Sequence, residues 1–347
     1  MSTFPPSPPS GGAPAGGLKG FLSGRRGLAL GAAAALALVA ATAFALVGGD
    51  DGKVRVPDPS GIDGTYFGVH TKVERKSQSA KEAAIEALED DLGRGLDIDH
   101  HFYPWDEEFP TGIERWDLSQ GRLPMISWNG RGAHSADIAA GRHDPLIMDR
   151  AHRVKDLGET VLIRWFWEMD GSKKAEWAGA PADYVAAWRR IVDVFRAEGA
   201  RNVEWVWCPN ASAFKDGEAQ AFYPGDEYVD WICGDGYNWA PGREGDEWRS
   251  FTEIFEAFYD WASTKRKPIM VGEYGVQERG PGEKAAWIAD VQRVVKTEFP
   301  RMKAVVYFNA NQDYDWRMDT SAAASEAFRE MANDPWFAAA LNRVPPE

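Results

Sequence analysis

Eight short apolar runs alternate with stretches of helical periodicity along this chain, and they restrict its fold more than any other feature. The runs are Tyr66–His70, Leu96–Tyr103, Leu123–Trp128, Val161–Trp167, Val203–Trp207, Val229–Tyr237, Ile269–Tyr274 and Ala304–Phe308. Near-continuous apolar runs of this length mark strands buried on both faces, the pattern of parallel sheets covered by crossover helices. The intervening stretches carry helix signals. "DPLIMDRAHRVKDLG" offers Asp144 as N-cap, Pro145 in the first turn and Gly158 as terminator. "APADYVAAWRRIVDVFRAEGA" places Tyr184, Val185, Trp188, Ile191, Val192 and Phe195 on one face. Further helices are expected at Gln78–Leu92, Ser250–Thr264, Glu283–Phe299 and Thr320–Met331. No Gly-x-Gly-x-x-Gly follows the first run, so a dinucleotide-binding sheet has no support. The reading is an α/β chain with a single (β/α)8 TIM barrel over residues 61–347.

The first sixty residues read differently. Residues 1–26 are rich in Pro, Gly and Ser and bury nothing that offsets chain entropy, so a disordered cytoplasmic tail is expected. Lys19, Arg25 and Arg26 then precede an uncharged apolar segment, residues 27–47, long enough to cross a bilayer. It reads as a transmembrane signal-anchor helix or a cleaved signal peptide, followed by a linker over residues 48–60. Either reading puts the barrel outside the cell, held at the membrane by the helix or secreted.

The net charge of −14 opposes a nucleic-acid partner, because a phosphate backbone would be repelled. Six scattered His and two Cys supply no metal-site spacing, and no cofactor is expected. Cys208 and Cys233 each lie near a strand end, and either a disulfide or two buried thiols fits the sequence. A monomer is the expectation. Sixteen Trp, ten Tyr and seventeen Phe give many flat apolar faces of the kind that stack on sugar rings.

Barrel enzymes carry their chemistry at the C-terminal ends of the strands. The fourth run exits through "VLIRWFWEMDG", where alternation puts Arg164, Phe166 and Glu168 on one side and Trp165 and Trp167 on the other. The seventh exits through "KPIMVGEYG", with Glu273 between two glycines. Two carboxylates at one barrel mouth are what glycosidic cleavage requires, one to protonate the leaving oxygen and one to meet the developing positive charge. A buried Arg164–Glu168 ion pair beside a capping Glu273 is the plain structural alternative. The other exits, "HHFYPW", "SWNG", "CPN", "DGYNW" and "YFNANQDYDW", repeat aromatic and neutral polar groups, as a sugar cleft does. From them His101, Trp128, Asn129, Asn210, Trp239 and Trp316 are expected to face the substrate.

The motifs "DPLIMDRAHRVKDLGETVLIRWFWEMDG", "YVAAWRRIVDVFRAEGARNVEWVWCPN", "FYPGDEYVDWICGDGYNW" and "KPIMVGEYG" make the chain resemble glycoside hydrolase family 26. That resemblance implies a retaining two-glutamate endo-glycanase acting mainly on β-1,4-mannan, with mixed-linkage β-1,3-1,4-glucan or xylan as alternatives. It implies Glu168 as acid/base, Glu273 as nucleophile, Tyr237 as the phenol bonded to the nucleophile, Arg164 in the same network and Trp316 as the sugar platform. The chain departs from the family's "HEMNG" in reading "WEMDG", with Trp167 where His is usual and Asp170 where Asn is usual. Trp167 removes a hydrogen-bonding group beside the scissile bond, which puts mannan preference in question. A non-catalytic polysaccharide-binding barrel is the reading from another class.

Overall fold

Each apolar run becomes a parallel strand: β1 Tyr66–Thr71, β2 Ile98–Tyr103, β3 Leu123–Trp128, β4 Val161–Trp165, β5 Val203–Trp207, β6 Trp231–Asn238, β7 Ile269–Val276 and β8 Met302–Asn309. The computed structural model describes residues 60–74 and 77–338. Neighbouring strands pair in sequence order, and β1 closes on β8 in unbroken register from Tyr66↔Ala304 to Thr71↔Asn309. Closure removes every free sheet edge and yields the expected (β/α)8 barrel. The tail and most of the linker (residues 1–26 and 48–59) and the apolar segment (residues 27–47) lie outside the described residues. Among the described residues no helix is long and apolar enough to cross a membrane.

The principal helices are α1 Gln78–Leu92, α2 Gly112–Ser119, α3 Asp144–Lys155, α4 Pro181–Ala197, α5 Phe251–Ser263, α6 Glu283–Thr297 and α7 Ala322–Asn333. Side-chain oxygens of Ser77, Thr111, Ser250 and Ser321 accept from first-turn amides of α1, α2, α5 and α7 and so satisfy donors that a helix start leaves open. Asp144 is not the cap expected of it: it is the first helical residue of α3, and His143 precedes it. Between β5 and β6 the crossover is three short 3-10 turns rather than a long helix.

Period-two alternation divides the strand residues into two cores. Val161, Ile163 and Trp165 pack outward among helix residues such as Tyr184, Trp188 and Ile191. Ile98, Met125, Leu162, Val206, Cys208, Cys233, Met270, Ala304 and Val306 belong to a second, separate cluster that fills the barrel, with Leu123 and Trp231 in it and Ile62, Tyr66 and Trp167 packed against it. Cys208 and Cys233 are joined in a disulfide, with Cα atoms 4.3 Å apart, from the end of β5 to the inward face of β6. This resolves the choice the sequence left open. Gly272 of β7 packs against it, since a Cβ there would fall 2.5 Å from Cys233 Sγ.

The same parity corrects the expectation for Trp128. It follows inward Ser127 and so points outward, with no exposure, stacked on Trp105 at 4.5 Å and donating from Nε1 to the Trp105 carbonyl at 3.0 Å. Trp128→Ala is therefore expected to cost about 3–5 kcal/mol of stability, read as a denaturant midpoint, with no loss of ligand affinity in protein that remains folded. A weakened ligand affinity with unchanged stability would return Trp128 to the cleft.

Candidate active site

β4 delivers Arg164 to the centre of the barrel mouth, and the guanidinium has no exposure. Burying it is costly unless every donor finds an acceptor. Nε donates to Ser127 Oγ at 2.7 Å, Nη1 donates to Asp235 at 2.7 and 2.9 Å, and Nη2 donates to Glu273. Burial disfavours the charge on Arg164, but Asp235 and Glu273 outweigh burial and hold its pKa above the ordinary value. Burial pushes the Asp235 carboxyl well up, and Glu273 pushes it the same way against the pull of Arg164. One guanidinium is thus shared by two carboxyl groups, and at the deeper of them, Asp235, burial disfavours the charge.

His100 completes this layer. Its Nε2 lies 2.6 Å from Ser127 Oγ and 3.3 Å from Arg164 Nη2. Arginine can only donate, so the hydrogen-bond pattern assigns Nε2 as an acceptor and His100 as neutral. Burial first, and Arg164 second, hold its pKa well below the usual value, in agreement.

Glu273 receives a second bond, from Tyr237 Oη to Oε2 at 2.5 Å. Burial and then Glu273 raise the Tyr237 pKa well above the usual phenol value, so the hydroxyl keeps its proton and donates. Register shifts in β7 near Val271 and Tyr274 and in β6 at Gly234/Asp235 accompany the turn of Glu273 toward the mouth.

Glu168 arrives by a different route. The alternation expected through Glu168 ends at Trp165, because Phe166 and Glu168 take left-handed backbone at φ 45° and 51°. Phe166 consequently packs outward with Trp165 rather than beside Arg164, over Gly130, where a Cβ would sit 2.2 Å from its ring. Such backbone costs a non-glycine residue about 1–3 kcal/mol and persists where surroundings enforce it. Here the Phe166 amide donates to the Trp128 carbonyl at 2.9 Å and the Glu168 amide to the Cys208 carbonyl at 2.7 Å. Asp170, in the place of the family's Asn, accepts from the Asn210 amide at 3.0 Å and its side chain at 2.9 Å, tying this turn to the end of β5.

Glu168 and Glu273 line one cleft of about 640 Å³, with Trp167, Tyr237, Trp239, Trp316, His70, Phe102, Phe308, Lys174 and Tyr314 among its walls. The Trp316 ring contacts Tyr237 at 5.0 Å and Trp239 at 5.4 Å. Its carbonyl accepts from Tyr307 Oη at 2.6 Å and from buried Lys284 Nζ at 3.5 Å. Lys284 Nζ also donates to the Arg317 carbonyl at 2.5 Å.

Three expected substrate contacts fall elsewhere. Trp128 is core, as above. The Asn129 side chain accepts from the Arg131 amide at 2.9 Å within its own loop, and Asn210 is engaged by Asp170; neither lines the cleft. His101 reaches the cleft margin, yet its Nε2 sits 2.8 Å from Asp117 and 3.2 Å from Asp99. Burial opposes protonation of His101, but Asp99 and Asp117 outweigh it and raise its pKa well above the usual value. Its polar atom is committed to the protein. Asp235, Ser127, His70, Phe102, Phe308 and Lys174 were not singled out in the sequence; Asp235 and Ser127 share the parity of Tyr237 and Asn129 in their own runs, whereas His70, Phe102 and Phe308 lie in runs where no residue of their parity was chosen, and Lys174 sits in a loop with no such signal.

Residues 145–338 match the family described as Glycosyl hydrolase family 26. The chain is 35% identical over 260 residues to endoglucanase H of Acetivibrio thermocellus, covering 72% of this chain and 29% of that protein. It is 24% identical over 220 residues to a beta-1,3-xylanase of an Alcaligenes species, covering 55% of this chain and 43% of that protein. The chain thus spans less than half the length of each of these relatives. A solved β-mannanase of Bacteroides ovatus shares the fold at a TM-score of 0.58, with 16% identity over 79% of this chain and 90% of that one.

Burial lowers the Lys284 pKa from 10.5 to about 8. Between those values the unfolded chain binds a proton that the native chain has released, so this group adds stability as pH rises from about 8 toward 10.5. Denaturation at pH 7 and pH 10 is expected to show wild type gaining on Lys284→Met at the higher pH. A pH-independent difference would contradict that assignment.

Proposed function

This chain belongs to glycosyl hydrolase family 26, and we propose that within that family it is a retaining endo-β-glycanase acting first on β-glucan and second on mannan. The observation that carries the proposal is the shared cleft of Glu168 and Glu273, with the second carboxylate gripped by Arg164 and Tyr237. Glu273 attacks the anomeric carbon while Glu168 gives its proton to the leaving glycosidic oxygen. Glu168 then takes a proton from water, whose oxygen displaces Glu273 and releases the sugar with its configuration retained. Arg164 and Tyr237 hold Glu273 in position by hydrogen bonds that need no rearrangement during attack.

Trp167 favours glucan over the mannan that the family resemblance puts first. Its indole stands where the family's histidine would offer a hydrogen bond, flanked by Arg164 at 5.0 Å and Lys174 at 4.3 Å and tilted on Phe102 at 5.1 Å. Glucose and mannose differ only in the C2 hydroxyl, equatorial in one and axial in the other. An all-equatorial ring presents flat CH faces that suit an indole, whereas an axial hydroxyl facing it loses a partner. The 35% identity to an endoglucanase supports the same order, and the mannanase fold neighbour supports mannan as the second reading.

Reducing-end release from lichenan, mannan, xylan and curdlan tests the substrate, and Trp167→His is expected to shift the kcat/KM ratio toward mannan by about tenfold. Glu168→Gln and Glu273→Gln are each expected to lower kcat by about 10²-fold or more with unchanged melting. Tyr237→Phe should cost about 10- to 100-fold in kcat with little effect on KM. Near wild-type turnover in either glutamate variant would overturn the assignment of that residue, whereas no reducing-end release by the wild type from any of the four polymers would leave a polysaccharide-binding barrel as the surviving reading.

A further inference from the structure

Lys174 reaches the cleft from the loop that follows β4, with its side chain 13% exposed. Its Nζ donates to the Trp167 carbonyl at 2.6 Å and to Glu168 Oε2 at 3.0 Å, and it stands over the Trp167 indole at 4.3 Å from the ring centroid. An ammonium has three N–H bonds and no lone pair. Two of these meet oxygens and the indole face takes the charge.

The geometry points to Lys174 as a positioning residue that decides which oxygen of Glu168 carries the catalytic proton. This inference rests on the reading of Glu168 as acid/base. Because Lys174 can only donate, Oε2 must act as its acceptor, and a proton on Oε2 would compete with that bond. The acid proton therefore resides on Oε1, which is left to face the glycosidic oxygen. In the first half-reaction the Oε1–H bond breaks as the C–O bond to the leaving group breaks, and the proton passes to the departing oxygen. In the second, Oε1 accepts a proton from water as the water oxygen bonds to the anomeric carbon and the bond from that carbon to Glu273 breaks. Lys174 keeps its own proton throughout. Trp167 takes part as a spacer: its carbonyl and ring fix the ammonium from two sides, so the residue that replaces the family's histidine also anchors the group that orients the acid.

A positioning role through Glu168 leaves a signature that general structural damage does not. The need for an acid grows with the basicity of the leaving group, so the defect should grow with it. The probes are aryl β-cellobiosides with leaving groups from 2,4-dinitrophenol to phenol, or the matching aryl β-mannobiosides if the polysaccharide panel selects mannan. For Lys174→Met, kcat/KM is expected to fall about tenfold or more with the phenyl glycoside and less than about twofold with the dinitrophenyl glycoside, with Lys174→Arg restoring part of the loss. Melting and near-ultraviolet circular dichroism check that each variant is folded. Equal losses across the series, no loss, or Arg no better than Met would overturn the assignment. Glu168→Gln is measured on the same series: a flat profile there would remove Glu168 as the acid and the Lys174 role with it, whereas a steep profile beside a flat Lys174→Met profile would reject Lys174 alone.

Discussion

One guanidinium with no access to water organises the mouth of this barrel. Arg164 cannot shed its charge, and it cannot be left unpaired in the interior without a cost of several kcal/mol. Four elements must therefore bring it acceptors: Ser127 from β3, Asp235 from β6, Glu273 from β7, and neutral His100 from β2 through its ring nitrogen. The bonds from Arg164 thus register the inward ends of separate strands against one another. The carboxylate that faces the cleft is the one that Arg164 and Tyr237 jointly hold, and the carboxyl beneath it is the one that burial favours keeping neutral.

Closure of the sheet supplies what pairwise contacts cannot. β4 and β7 are not neighbours, and their exits meet over a common cleft only because β1 pairs with β8 and bends the sheet into a ring. The disulfide between β5 and β6 lies within that ring close to the Arg164–Asp235 pair, and the absence of a side chain at Gly272 leaves room for both. Carboxylates far apart in sequence come to line one cleft by topology.

Strand count, order and most boundaries were legible because buried parallel strands write themselves as apolar runs. Leu123–Trp128 and Val203–Trp207 match to the residue. Tyr237, Trp239 and Trp316 were legible through the resemblance and through their turn-rich neighbourhoods. What failed did so for identifiable reasons. Trp128 was assigned by the polar residues that follow it, when its parity opposite Ser127 already sent it outward. Phe166 was assigned by parity, when the strand had already ended and the backbone had crossed into left-handed space. Asp235 was legible in principle, two residues before Tyr237 on the same face of β6. Lys174 was not, because nothing in a loop sequence fixes where a flexible cation will come to rest. Asn129 and Asn210 carried the right chemistry and found partners within the protein instead.

The two left-handed residues on either side of Trp167 have a broader implication. Phe166 is locked into the outer core and Glu168 is fastened through its amide to the end of β5. Between two such pins, the main chain at position 167 is set by its neighbours rather than by the side chain it carries. A different side chain at 167 leaves the main-chain bond that places Glu168 intact, while the contact between the ring and the Lys174 ammonium goes with the indole.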